Sequence, residues 1–127
     1  GERPEDWPAN TGLAEAQREA DARLGAPPDV IARFYQDVPR ALAEEALRHA
    51  RGQSETPGRT PWPLREWPAV PTRFLLCRDD RFFPAEFQRR VVRQRLGIVP
   101  DELDGGHCVA LSRPVELAER LVDFLAD

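Results

Sequence analysis

Two kinds of side chain that handle protons stand close together in the last third of this sequence. The run 71–84, Pro-Thr-Arg-Phe-Leu-Leu-Cys-Arg-Asp-Asp-Arg-Phe-Phe-Pro, is apolar and then ends on Asp79 and Asp80. The run 104–114, Asp-Gly-Gly-His-Cys-Val-Ala-Leu-Ser-Arg-Pro, places His107 behind two glycines. An imidazole titrating near neutrality can take a proton from a hydroxyl and return it to a leaving group. It does so best when a carboxylate on its other ring nitrogen fixes the tautomer and stabilises the imidazolium. Asp79 and Asp80 alternate in direction along an extended backbone, so only one can face His107, and spacing alone leaves both open. No serine precedes Asp80 in a Gly-x-Ser-x-Gly setting, so these residues supply a base and an acid without a nucleophile.

Other candidates for chemistry reduce to ordinary roles. Cys77 and Cys108 are the only cysteines; they are too few for a disulfide framework and read as free thiols. A single Cys–His neighbour pair with no second ligand pair nearby is not a metal site, so neither metal nor cofactor is expected. His49, Glu44 and Glu45 lie in a polar helical stretch and read as a solvated face.

The elements that must position the acid and the base follow from periodicity. Phe74, Leu75, Leu76 and Cys77 form a continuous apolar run bounded by charge, the pattern of a strand buried on both faces. Pro84 opens a helix through Phe87 and Val91 that Gly97 terminates. Residues 98–103 form a second short strand, with Pro100 marking an edge or a late start. Arg113-Pro114 opens a last helix with Val115, Leu117, Ala118, Leu121, Val122 and Leu125 as its buried stripe. Strand, helix, strand, helix at this spacing predicts two neighbouring parallel strands. Asp80 and His107 then both follow strand C-termini, where α/β sheets place reactive groups, and Gly105-Gly106 lets the backbone turn the ring inward.

The first half is helical. Residues 1–11 read as loop and 13–24 as a good helix former stopped by Gly25 and two prolines. Asp29 caps a short helix carrying Val30, Ile31, Phe34 and Tyr35, and Pro39 stands at the first helical position of a helix reaching about Ala50. Within 51–71, Pro57, Pro61, Pro63, Pro68 and Pro71 forbid a continuous helix or central strand. This stretch is expected to be an extended connector whose Trp62 and Trp67 dock on apolar surface.

Composition bounds the rest. A net charge of −4 argues against a nucleic-acid partner. No apolar run approaches the roughly 20 residues needed to span a bilayer, and no leader pattern is visible, so the expectation is a cytoplasmic protein with no membrane partner. The absence of methionine and the two-strand sheet, too small to bury its own faces, suggest part of a longer protein. With no lysine and all 18 basic residues arginine, a GC-rich bacterial gene is expected.

These motifs resemble the C-terminal part of the α/β-hydrolase superfamily. Its acid-strand pattern Gly-x-x-Asp-x-x-x-Pro is met by Cys77-Arg-Asp-Asp80-Arg-Phe-Phe-Pro84, with Cys in place of Gly. Its histidine pattern Gly-Gly-His-x-x-x-Leu-Ser-x-Pro is met by Gly105 to Pro114, an ending similar to the methylesterase and hydroxynitrile-lyase branch and its bacterial relatives. The resemblance implies an α/β fold with an incomplete parallel sheet. It assigns the triad acid to Asp80 and the base to His107. It makes residues 1–66 a helical cap with its connector, and 67–127 the β-α-β-α part of the core. It makes Phe34, Tyr35, Trp62 and Trp67 candidate walls of a substrate pocket. The function implied is hydrolysis of small, largely apolar esters, with the nucleophile on the N-terminal half of the same fold. The alternatives are a lyase, a non-catalytic ligand-binding member of the fold, or a helical interaction domain.

Overall fold

The computed structural model describes residues 1–126; Asp127, the last residue of the second expected segment, lies outside the described residues. Its centre is a parallel pair of strands, β1 (Leu75–Cys77) and β2 (Asp101–Leu103), in the register Leu75 to Asp101, Leu76 to Glu102 and Cys77 to Leu103. The parallel pair rules out a purely helical module. The second strand is shorter than the run 98–103 because Pro100, buried, delays pairing until Asp101 donates to the Phe74 carbonyl at 2.8 Å.

The helices before the strands are α1 (Trp7–Thr11), α2 (Leu13–Leu24), α3 (Val30–Phe34), α4 (Arg40–Arg48) and α5 (Thr56–Arg59). Helix α1 replaces the loop expected at the start. It begins with Pro8 in its first turn and ends on Gly12 at φ +74°, a left-handed turn that lets α2 follow at once. The α3 cap is as the sequence suggests, with the Asp29 carboxylate accepting the Ala32 N–H at 2.8 Å. Pro39 stands one position outside α4, at its N-cap and not its first helical residue, and α4 ends at Arg48. The connector 51–71 holds one helical turn, α5, with Pro57 as its second residue. Proline is compatible with a first turn because its missing N–H has no partner there anyway.

Among the described residues, one helix lies between β1 and β2 and two follow β2. Helix α6 (Ala85–Leu96), closed by Gly97 at φ +68°, packs on β1. Phe87 and Val91 of α6 form the main apolar cluster with Leu13, joined by Trp7, Ala16 and Phe83. Leu76 and Leu103 are fully buried at the centre of the sheet. After β2 come α7 (Val109–Ser112) and α8 (Pro114–Ala126).

Helix α8 departs from expectation. Its apolar stripe is not buried: Val115, Leu121, Val122 and Leu125 are exposed, Leu125 at 88% of its full area. Ala118 is exposed too, and of the expected stripe only Leu117 is half-buried. Two strands are too narrow a surface to cover a helix of this length. The helix is held by other means: Arg120 donates to the Glu102 carbonyl at 2.7 Å, and the Arg73 guanidinium lies 4.4 Å from the Phe124 ring centre. Among the described residues no helix is long and apolar enough to cross a membrane.

Candidate active site

The strand register decides where the acid and the histidine meet. Pairing runs on past the strands, with Arg78 N–H donating to the Leu103 carbonyl at 2.9 Å and Asp79 N–H to the Gly105 carbonyl at 3.0 Å. The two loops are therefore zipped together up to Asp79 and Gly105, one residue ahead of Asp80 and two ahead of His107. Their side chains meet: His107 Nδ1 lies 3.0 Å from Asp80 Oδ2 and 3.2 Å from Oδ1. The Asp79 carboxylate turns away and accepts the Gly105 N–H at 3.1 Å, bracing the histidine loop. Asp80, not Asp79, faces the imidazole.

The Asp80 carboxylate is 8% exposed, against 28% for His107. It accepts hydrogen bonds from two backbone donors, Phe82 N–H at 2.8 Å and Phe83 N–H at 2.9 Å, both reaching Oδ1. This leaves Oδ2 for the ring. With Nδ1 committed to a carboxylate that can only accept, the neutral imidazole carries its proton on Nδ1 and offers a lone pair at Nε2. The ring is boxed by aromatics, with Phe34, Phe82 and Phe83 at centroid distances of 5.2, 5.3 and 5.6 Å. An acid–base pair in such surroundings can move a proton at a ring nitrogen beside apolar surface.

Helices on both sides of the acid loop in the sequence hold it in place, because a loop without secondary structure must satisfy its carbonyls elsewhere. Gln17 of α2 donates to the Phe82 carbonyl at 2.8 Å, Arg33 of α3 to the Arg81 carbonyl at 3.0 Å, and Gln88 of α6 to the Phe83 carbonyl at 2.6 Å. Arg81 returns a bond to the Ala32 carbonyl at 3.0 Å, and Arg33 is neutralised by Asp21 at 2.8 Å.

The other wall candidates are placed differently. Phe34 touches His107, whereas the half-buried Tyr35 ends α3 beside Gln36, Val38 and Arg81. Trp62 and Trp67 stack on each other at 6.3 Å and stay half exposed. They line a cleft of about 570 Å³ with Trp7, Arg95 and Leu96, in which neither Asp80 nor His107 takes part. Phe82 and Phe83 are the aromatic neighbours of His107 that sequence reading passed over, although their place two and three residues after Asp80 was a usable signal. His49 is a surface residue bonded to Glu45 at 2.7 Å. Among the described residues no group of three or more His, Cys, Asp or Glu could hold a metal ion.

Both thiols lie near the acid pair. Burial pushes Cys77 up to about 11, with the charges of Asp80, Asp37 and Asp79 adding to the shift. Burial and then Asp80 and Asp37 also raise Cys108. Neither is an activated nucleophile.

A family model described as the alpha/beta hydrolase family matches residues 1–120. No curated protein and no solved structure matches the chain.

Proposed function

Because the chain belongs to the alpha/beta hydrolase family, we propose that Asp80 and His107 are the acid and base of a Ser-His-Asp triad in an ester hydrolase. The observation that carries this reading is the 3.0 Å contact between His107 Nδ1 and a carboxylate already held by two backbone N–H groups. In the proposed mechanism a serine outside these 127 residues attacks the ester carbonyl. Nε2 of His107 accepts the serine proton and passes it to the leaving alkoxide. Asp80 holds the ring and stabilises the imidazolium without itself taking the proton. Water, activated by the same Nε2, then releases the acyl group.

The aromatic surroundings of His107 favour small apolar esters. Phe34, contributed by α3, stands against the reacting ring and is the wall residue best placed to meet an acyl group. The serine is proposed to lie on a further segment of the same fold, which would also cover the exposed stripe of α8 and an open edge of the two-stranded sheet.

The test uses the product of the longest open reading frame that contains this sequence, assayed on p-nitrophenyl acetate. His107→Ala is expected to lower kcat by about 10⁶-fold and Asp80→Asn by about 10⁴-fold. Variants as active as the parent protein end the triad reading.

A further inference from the structure

Two consecutive residues, Gln36 and Asp37, stand in the loop between α3 and α4 and reach across to the two loops that carry the acid and the histidine. Gln36 Nε2 donates to the carbonyl of Asp79, the residue before Asp80, at 2.6 Å. Asp37 Oδ2 accepts the N–H of Gly106, the residue before His107, at 2.8 Å. Asp79 and Gly105 are already bonded to each other in both directions, at 3.0 and 3.1 Å. A dipeptide from the helical half thus closes a ring around the peptide groups adjoining both members of the pair.

Close approach makes this contact demanding. A Cβ placed on Gly106 would come within 2.7 Å of both Asp37 Oδ1 and Gln36 Nε2, so a side chain there would push these two groups out of their present positions. Gly105 is also tightly framed, by Val109 at 3.0 Å and Arg113 at 3.3 Å, and its φ of +139° favours glycine. The two glycines therefore serve as the seat on which Asp37 rests. A carboxylate accepting from a backbone N–H is a charge-assisted bond, stronger than a neutral one, and it orients the peptide plane leading into His107. Phe34, which packs on the imidazole, lies in the same short segment as the dipeptide.

We propose that Asp37 is a positioning residue for His107, setting the Asp80–His107 alignment through the Gly106 N–H, with Gln36 fixing the acid loop to the same point. This rests on the triad reading for its meaning in catalysis, but the alignment itself can be measured without any reaction.

The experiment has two arms. In the first, the 127-residue chain is labelled with ¹⁵N and its imidazole resonances are recorded. The parent protein should show His107 in the single Nδ1–H form. Asp37→Ala should shift His107 toward the averaged positions of a freely rotating imidazole and leave His49 unmoved. Asp37→Asn, whose side-chain oxygen still accepts, should restore the parent spectrum. If Asp37→Ala loses its fold by circular dichroism, Asp37→Ser replaces it, since serine stays polar but ends an atom short of Gly106. An unchanged His107 in the alanine or serine variant overturns the proposal, as does an asparagine variant as disturbed as the alanine one.

The second arm assays the longer reading-frame product. Asp37→Ala should lower kcat roughly 10- to 100-fold with little change in KM, because misplacing a reacting group costs rate more than binding. Asp37→Asn should recover most of that loss. An active parent protein with an unaffected Asp37→Ala variant sinks the positioning role and leaves the triad standing. A spectrum that responds in a protein without esterase activity sinks the triad and leaves the positioning role standing.

Discussion

The Cys77 thiol ends β1 beside the Asp79–Asp80 turn, and its surroundings make a definite prediction. Burial together with the charges of Asp80, Asp37 and Asp79 lifts it from 9.0 to about 11. The folded state therefore holds the thiol proton more tightly than the unfolded chain does. Any stability Cys77 lends is complete below pH 9.0 and fades as pH rises through about 11. At pH 8 its thiolate population should be about 100-fold below that of an unperturbed cysteine. Iodoacetamide labelling followed by peptide mapping should show Cys77 reacting slowly, and faster in urea. Equal rates in both conditions would contradict the burial assigned to it. At this scale the sequence spoke of the contact and not of its exact partner: spacing brought His107 to the Asp79–Asp80 pair and left open which of the two faces the ring. It was silent about Gln36 and Asp37, because their role comes from tertiary approach and leaves no local pattern.

The acid loop is an element without regular structure, and it persists because distant helices satisfy its backbone. Removing one such donor should be felt as stability. Gln17→Ala strands the Phe82 carbonyl and should cost about 1–3 kcal/mol in urea unfolding. Leu76→Ala, at a fully buried position in β1, should cost about 2–5 kcal/mol. A Gln17 variant as stable as the parent would mean that water replaces the lost donor. Secondary structure was legible wherever local chemistry decides it. The Asp29 cap, the glycine stops at Gly25 and Gly97, and the apolar run at Leu75 to Cys77 all appear where residue type places them. The departures came where context decides. The first turn at Trp7 forms because its ring packs edge-on against Phe83 and Phe87, residues far along the chain. Strand β2 starts late because Pro100 cannot donate.

Seen whole, the molecule has one well-filled side and one bare side. Leu13, Phe87 and Val91 close the core between α2 and α6, whereas α8 presents Val115, Leu121, Val122 and Leu125 to solvent. A contiguous apolar face of this kind marks a surface that associates. Val122→Glu with Leu125→Arg should make the 127-residue chain less prone to self-association in sedimentation runs. The same pair of substitutions should lower the melting temperature of the longer reading-frame product, if further strands cover that helix. Unchanged sedimentation and melting would remove α8 from any such contact. The α8 stripe shows the limit of periodicity: the spacing of Val115, Leu121, Val122 and Leu125 describes an apolar face, but what covers that face is not written in the helix itself.

The anchoring of the acid loop also bears on the order in which the molecule assembles. Its carbonyls are held by Gln17, Arg33 and Gln36, which stand 65, 48 and 43 residues away along the backbone. Contacts of such long range close only after the intervening chain has collapsed. Substitutions at these three residues should therefore speed unfolding and leave the refolding rate nearly untouched. The alignment of Asp80 with His107 would be among the last features of the molecule to set.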